Sequence, residues 1–185
     1  NFGGSMQPDK SSDAYYRDTL SKARECIFCA PQGQLLGRAG RRCTLEDGER
    51  HALRAVASRP ARAAEARLLL AQSLVAQARG REIEVPRLVV EALSTTDVDS
   101  LSVEIATGLV EAAGVAFEKG AGATTGFASV ELFVRAVSEA APAAADGGLR
   151  EAVEAAAAAV AARTEVAKER ARREEAVERA SSQKM

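Results

Sequence analysis

Along almost the whole chain apolar residues return every three or four positions, and prolines and glycines cut this rhythm into segments. The pattern predicts helices and leaves no place for strands, whose residues would alternate. Ser11 or Ser12 can cap a first helix with Tyr16, Leu20, Ala23 and Ile27 on one narrow stripe. Pro31, Gly33, Gly37 and Gly40 then make a loop that carries Arg38, Arg41 and Arg42. Thr44 with Asp47 opens a second helix in a weaker form of the capping box, with Leu45, Ala52, Leu53 and Val56 as its expected buried side. Pro60 suits the first turn of a third helix that ends at Gly80. Leu68, Leu69, Leu70, Leu74 and Val75 cover more than one face of it, which places it at the centre.

After an expected extended stretch from Arg81 to Val85, Pro86 can start a fourth helix through Leu88, Val89, Val90 and Leu93. Thr96 with Asp99, or Asp97 alone, is the expected cap of a fifth helix that runs to Lys119 and stops at Gly120. Val98, Leu101, Ile105, Leu109, Ala112 and Ala116 give it a stripe, and Gly108 and Gly114 within it mark close packing, since each costs ~1 kcal/mol against alanine. A sixth helix is expected from near Thr125 to Pro142, burying Phe127, Val130, Phe133, Val134 and Val137. A seventh is expected from Asp146, with Leu149, Val153, Ala156 and Val160 inward. Helix starts are irregularly spaced and no signature recurs at a fixed period, so the expectation is an all-α, irregular multi-helix bundle rather than a repeat array. Its core should include Leu69, Leu70, Leu74, Ile105, Leu109 and Val134.

Apolar residues make up 46% of the chain but aromatics 4%, with no Trp, so such a core must be filled by Ala, Val and Leu in closely approaching helices. The longest clean apolar run, Ala155 to Ala162, is far short of the ~20 residues a bilayer span needs. The expected setting is therefore a soluble, intracellular one, and a start at Asn1 rather than Met leaves an organellar destination open.

Beyond Arg163 the last helix changes character, because almost every position is charged or small. Spacings such as Glu169 to Arg173 and Glu175 to Arg179 supply pairs of ~0.3–0.5 kcal/mol each, yet a helix polar all round has no reason to fold back on its own core. The expected organisation is a flexible segment over 1–12, a bundle over 13–162 and a charged helical arm over 163–185. Charge is also unevenly spread along the chain. From Arg38 to Arg67 eight arginines face four acids, a balance of +4, whereas from Glu82 to Glu154 thirteen acids face four bases, a balance of −9. That asymmetry suits oriented docking against charged neighbours. The arginines of the loop, Arg38, Arg41 and Arg42, and of the arm, Arg170, Arg172 and Arg173, are the candidate partner-binding residues.

Three features bear on chemistry. All three cysteines and the sole histidine fall close together, as Cys26-x2-Cys29, Cys43 and His51. Three thiolates and an imidazole make a complete tetrahedral zinc set; the same residues also read as a redox pair or disulfide, or as small apolar thiols beside a solvated histidine. Secondly, Asp99-Ser100-Leu101 followed by Val103-Glu104-Ile105 resembles the phosphopantetheine attachment segment of acyl carrier proteins, a serine after aspartate at a helix start. The match is one residue short after the triplet and the preceding helix ends too near the serine, so capping by Ser100 is the expected role. Thirdly, the arginine-rich stretch has no aromatic between Cys29 and Phe117 to stack bases, which weighs against nucleic acid.

The sole histidine has no obvious nucleophile beside it, and Gly33 to Gly40 lacks the lysine-threonine end of a phosphate loop. The expected function is a non-catalytic helical subunit or adaptor of a larger assembly, in an oligomer or hetero-complex and without a cofactor. The alternative is a small module whose zinc joins Cys26, Cys29, Cys43 and His51.

Overall fold

In the computed structural model, residues 12–29, 43–77, 79–119, 127, 129–142 and 147–182 are described. Helix accounts for 89% of these residues and strand for none, so the fold is an all-α multi-helix bundle. Seven α-helices are present among them: α1 (Asp13–Cys29), α2 (Leu45–Ser58), α3 (Ala64–Gln77), α4 (Val85–Thr95), α5 (Val103–Glu118), α6 (Val130–Ala140) and α7 (Gly147–Ser182). The hairpin α1–α2 lies on α3, the hairpin α6–α7 lies on α5 and α4, and α3 and α5 meet in the middle. Among the described residues no helix is long and apolar enough to cross a membrane.

Helix starts follow local hydrogen-bond chemistry. Tyr15 N donates to Ser12 Oγ at 3.1 Å, so Ser12 caps α1. Thr44 and Asp47 form a complete reciprocal capping box, each side chain accepting from the other's backbone N–H. Gly80 takes φ 80°, the left-handed conformation that a residue after a helix end commonly needs. Between Gly80 and α4 the chain winds as a 3₁₀ turn, Arg81–Glu84, not as an extended segment. Pro60 likewise opens a separate 3₁₀ turn, Pro60–Arg62, before α3 begins.

The largest correction falls at the start of α5. Val98–Ser100 is a 3₁₀ turn, and the cap of α5 is Ser102, whose Oγ accepts from Ile105 N. Ser100 is thus not a helix cap. Thr96 is buried and serves another purpose: its Oγ1 accepts from Arg67 Nη1 at 2.6 Å, while Asp97 N donates to Ala61 O at 2.7 Å. Those two bonds hold the α4–α5 turn against the start of α3, and a tertiary partner has overridden a local cap. The sixth helix begins at Val130 with Ser129 as its cap, later than the expected Thr125. Thr125, Gly120 and Asp146, the expected helix limits nearby, lie outside the described residues.

The core is assembled from small and branched side chains. Leu69, Leu70, Leu74 and Leu109 are buried as expected, whereas Ile105 and Val134 are half-buried at its edge. Phe133 is fully buried and supplies the main aromatic contact, with ring centroids 5.2 Å from Phe117 and 5.7 Å from Phe127. On α2 the buried face is Gly48, Glu49, Ala52 and Ala55, and Leu53 points outward with 46% of its surface exposed. The expected stripe was turned by one residue, because small residues and a paired glutamate form the contact face.

Alanine and glycine let helices come close at two places. A methyl group at Gly48 would stand 2.7 Å from Ile27 Cγ1, and one at Gly114 would stand 2.7 Å from Val160 Cγ2. Polar ties complete the joins. Ser73 Oγ donates to Leu45 O at 2.9 Å, Gln77 Nε2 donates to Glu49 Oε2 at 2.9 Å, and Arg81 pairs with the same Glu49.

Gly114→Ala tests the second approach, because helix propensity and packing oppose each other there. Alanine gains up to ~1 kcal/mol of propensity, but forcing a methyl into the stiff Val160 side chain costs about 1–3 kcal/mol. Denaturant titration should therefore show a net loss, while Gly148→Ala, with nothing within 4 Å, should be neutral or stabilising. A stabilised Gly114→Ala protein would contradict this packing. Phe133→Ala should cost about 3–5 kcal/mol in the same measurement.

Candidate functional site

Two regions carry the candidate residues that are described. The first is the corner where the last turn of α1 meets the first turn of α2. Cys26 is buried, with 3% of its surface exposed, and Cys43, just before α2, is half-buried. Neither of these two cysteines is in a disulfide. Burial, then the neighbouring Cys43 thiol and the charges of Asp47 and Glu25, pushes the Cys26 thiol up to about 12. Cys26 is thus a stable neutral thiol at ordinary pH, in the manner of a small apolar residue.

His51 lies further along α2 and is half-buried. Burial lowers its pKa, Arg54, Lys22 and Arg50 reinforce that direction, and Asp47 opposes it. The imidazole therefore stands among cations from both helices rather than free in solvent. Cys29 belongs to α1 by its backbone, and its side chain lies outside the described ones. Among the described residues, no three His, Cys, Asp or Glu side chains group so as to hold a metal ion. The structure brings Cys26 and Cys43 together, a pairing that the CxxC spacing by itself did not select.

The second region is the C-terminal half of α7. Within the bundle Leu149, Val153, Ala157 and Val160 are buried, and Thr164 is the last buried residue among the described ones. Arg163 fastens this exit point, donating to Glu111 at 2.6 Å and to Glu118 at 3.2 Å on α5. From Lys168 to Ser181 every residue is exposed, and α7 continues through Ser182. At 1.5 Å per residue this helix extends roughly 27 Å past its last buried side chain.

Charge on the arm is largely neutralised within the helix. Arg170 donates to Glu174 at 2.8 Å, Arg173 to Glu169 at 3.1 Å and Arg179 to Glu175 at 3.1 Å. Two of the candidate arginines, Arg170 and Arg173, therefore already have carboxylate partners, while no such pair engages Arg172 among the described residues. Val166 and Val177 are 71% and 68% exposed and sit eleven positions apart, close to three full turns, on one face with Arg170 and Arg173 between them. The remaining candidates, Arg38, Arg41 and Arg42, lie outside the described residues.

Of the arginines of the early basic stretch, two are held in contacts between elements and one in a pair within α2. Arg59 pairs with Asp13 at 2.8 Å, Arg50 with Asp47 at 3.1 Å, and Arg67 is buried on Thr96. Comparison with protein-family models, with curated proteins and with solved structures gave no match.

The raised Cys26 pKa has a consequence for stability. Above about pH 9 an unfolded chain gives up this proton, whereas the folded chain keeps it until about pH 12. The folded state then binds more protons, so stability is lost as pH rises through that window. Unfolding midpoints of wild type and Cys26→Ala, measured in parallel across it, should converge on the alkaline side. Parallel curves would contradict a protected thiol.

Proposed function

We propose that this chain is a non-catalytic helical adaptor that joins a larger protein assembly through the arm at the end of α7. One observation carries the reading: a helix continuous with the core runs past its last buried side chain and exposes two valines on a single face. Nucleation makes short isolated helices marginal in water, and each intrahelical ion pair returns only ~0.3–0.5 kcal/mol. An arm of this composition gains its helical stability from a partner surface rather than from itself. Helix-in-groove recognition uses such a face, with apolar side chains at helical spacing seated in a groove and charges along the rim.

The rest of the molecule supports a scaffold role. Arg163 with Glu111 and Glu118 sets the direction in which the arm leaves the bundle, and the Thr164 hydroxyl donates to Val160 O at 2.8 Å at the same point. A groove between α1, α3 and α5 sets Phe28, Leu68 and Ile105 beside Arg24, Glu65 and Glu104.

Deletion from Glu165 onward leaves the Arg163 clamp and Thr164 intact. The truncated protein is expected to keep its melting temperature within a few degrees while losing the large native assembly on size-exclusion chromatography of cell extract. Val166→Asp with Val177→Asp should reproduce the loss without shortening the chain. In purified full-length protein, amides over 168–182 should exchange quickly and become protected in the assembly. Normal assembly of the truncated and the doubly substituted proteins would overturn the proposal.

A further inference from the structure

We propose that the arm's partner is a second copy of this chain, in which it docks in the groove between α1, α3 and α5; this rests on the arm's binding role and deepens it. The bundle leaves that groove uncovered. Phe28, in the last turn of α1, is 56% exposed, and the half-buried Leu68 of α3 and Ile105 of α5 line the same groove. An aromatic ring left in water beside two branched aliphatic side chains is apolar area that a docked chain covers.

Charge selects the occupant. Around the apolar strip stand one base, Arg24, and two acids, Glu65 and Glu104. Arg24 is paired with Glu65, whereas no ion pair engages Glu104 among the described residues. Gln72, in the same lining, is half-buried, and its Oε1 has no hydrogen-bond partner among the described residues. The groove thus offers an apolar strip, an uncommitted carboxylate and an uncommitted amide oxygen. A helix that fits it presents apolar side chains with cationic donors between them. The arm presents that set in order, since Val166, Arg170, Arg173 and Val177 fall on one face with Glu169 at its edge. Two bases and one acid on the arm then meet two acids and one base in the groove. Docking costs the arm little, because Arg170 and Arg173 are 80% and 77% exposed and their bonds to Glu174 and Glu169 are already screened by solvent. An arginine turned to Glu104 at the edge of a covered apolar strip is screened less.

The arm does not reach the groove of its own chain. α7 is one continuous helix to Ser182, Arg163 holds it to Glu111 and Glu118 of α5, and from Lys168 to Ser181 every residue is exposed. Within one chain the arm therefore lies off the bundle. A second copy supplies what is missing on both sides. Because arm and groove are different surfaces present on every chain, two copies close the contact by exchange, each arm in the other's groove.

The test uses purified full-length protein, its mass followed by sedimentation and by light scattering over a range of concentrations. Expected is a reversible passage from 19.4 kDa to twice that mass as concentration rises. Amides over 168–182, which exchange quickly at dilution, should gain protection in the dimer. Deletion from Glu165 onward, and Phe28→Asp at its exposed position, should each keep the mass of one chain and a melting temperature near that of wild type. Mixed together, these two variants should form a one-to-one complex, because one keeps the groove and the other keeps the arm. Should Phe28→Asp not fold, Glu104→Arg takes its place in the mixture. Glu104→Arg should raise the concentration of half-association roughly tenfold, and Arg173→Glu in the same chain should recover most of that loss. Three results would each overturn the proposal: wild type with the mass of one chain at every concentration, no complex from the mixed variants, or dimers that form equally well without the arm. Failure of the arm's binding role itself looks different. If deletion of the arm leaves the native assembly intact, that role falls and this proposal with it. If deletion breaks the assembly while the purified chain stays single and Phe28→Asp assembles as wild type does, the arm binds a different protein and only this proposal falls.

Discussion

Close approach of helices with small side chains is the constraint on which this molecule depends. With aromatics at 4% and no Trp, the core cannot be filled by a few large rings around which helices keep their distance. It is filled instead by bringing backbones together, and α1 against α2 at Gly48 and α5 against α7 at Gly114 are where that happens. Dispersion falls steeply with separation, so a core of alanines and valines stabilises only if the helices seat at short range. Phe117 of α5 and Phe133 of α6 supply larger side chains to this core, with Phe127 edge-on to Phe133.

Short helix spacing also brings polar groups within reach of one another, and the bundle uses them as ties. Glu49 is buried on the contact face of α2, where an unpaired carboxylate would be costly, and Gln77 and Arg81 satisfy it from α3 and the turn beyond. Arg67 is buried between α3 and the α4–α5 turn with the Thr96 hydroxyl as its acceptor. Arg163 ties α7 to α5 at the surface, where solvent screening leaves it more a direction-setter than a source of stability. Within the early basic stretch, Arg59 is likewise taken up by Asp13 of α1. Charge read along the chain therefore overstates what Arg59 and Arg67 offer to a partner.

The same packing rule gives the two candidate regions their character. At the α1–α2 corner, the absence of a side chain at Gly48 is what lets the last turn of α1, with the buried Cys26 and Ile27, rest on α2. On α7, the contact stripe ends at Thr164 because the residues beyond it have too little apolar surface to continue the seam, and the helix proceeds without the bundle. Of the site, the arm was legible from composition alone, since no arrangement of Glu, Arg and Ala buries much area. The cysteine pairing was not legible, because Cys26-x2-Cys29 is a local spacing whereas Cys26 with Cys43 depends on how two helices dock.

The amino-acid order by itself determined the all-α class, the existence of seven helices among the described residues, the caps at Ser12 and Thr44, the stop at Gly80 and the polar arm. Each of these rests on hydrogen bonds or periodicities spanning a few residues, which the chain specifies without reference to distant partners. Tertiary structure decided the rest. It moved the start of α5 from Thr96 or Asp97 to Ser102, because Thr96 was taken by Arg67 and the backbone of Asp97 by Ala61. It turned α2 so that Leu53 faces out and Gly48 faces in, because a short interhelical distance outweighed the burial of one leucine. And it chose Cys43 as the neighbour of Cys26. In each case contacts between residues far apart in the chain decided among options that the local sequence left open.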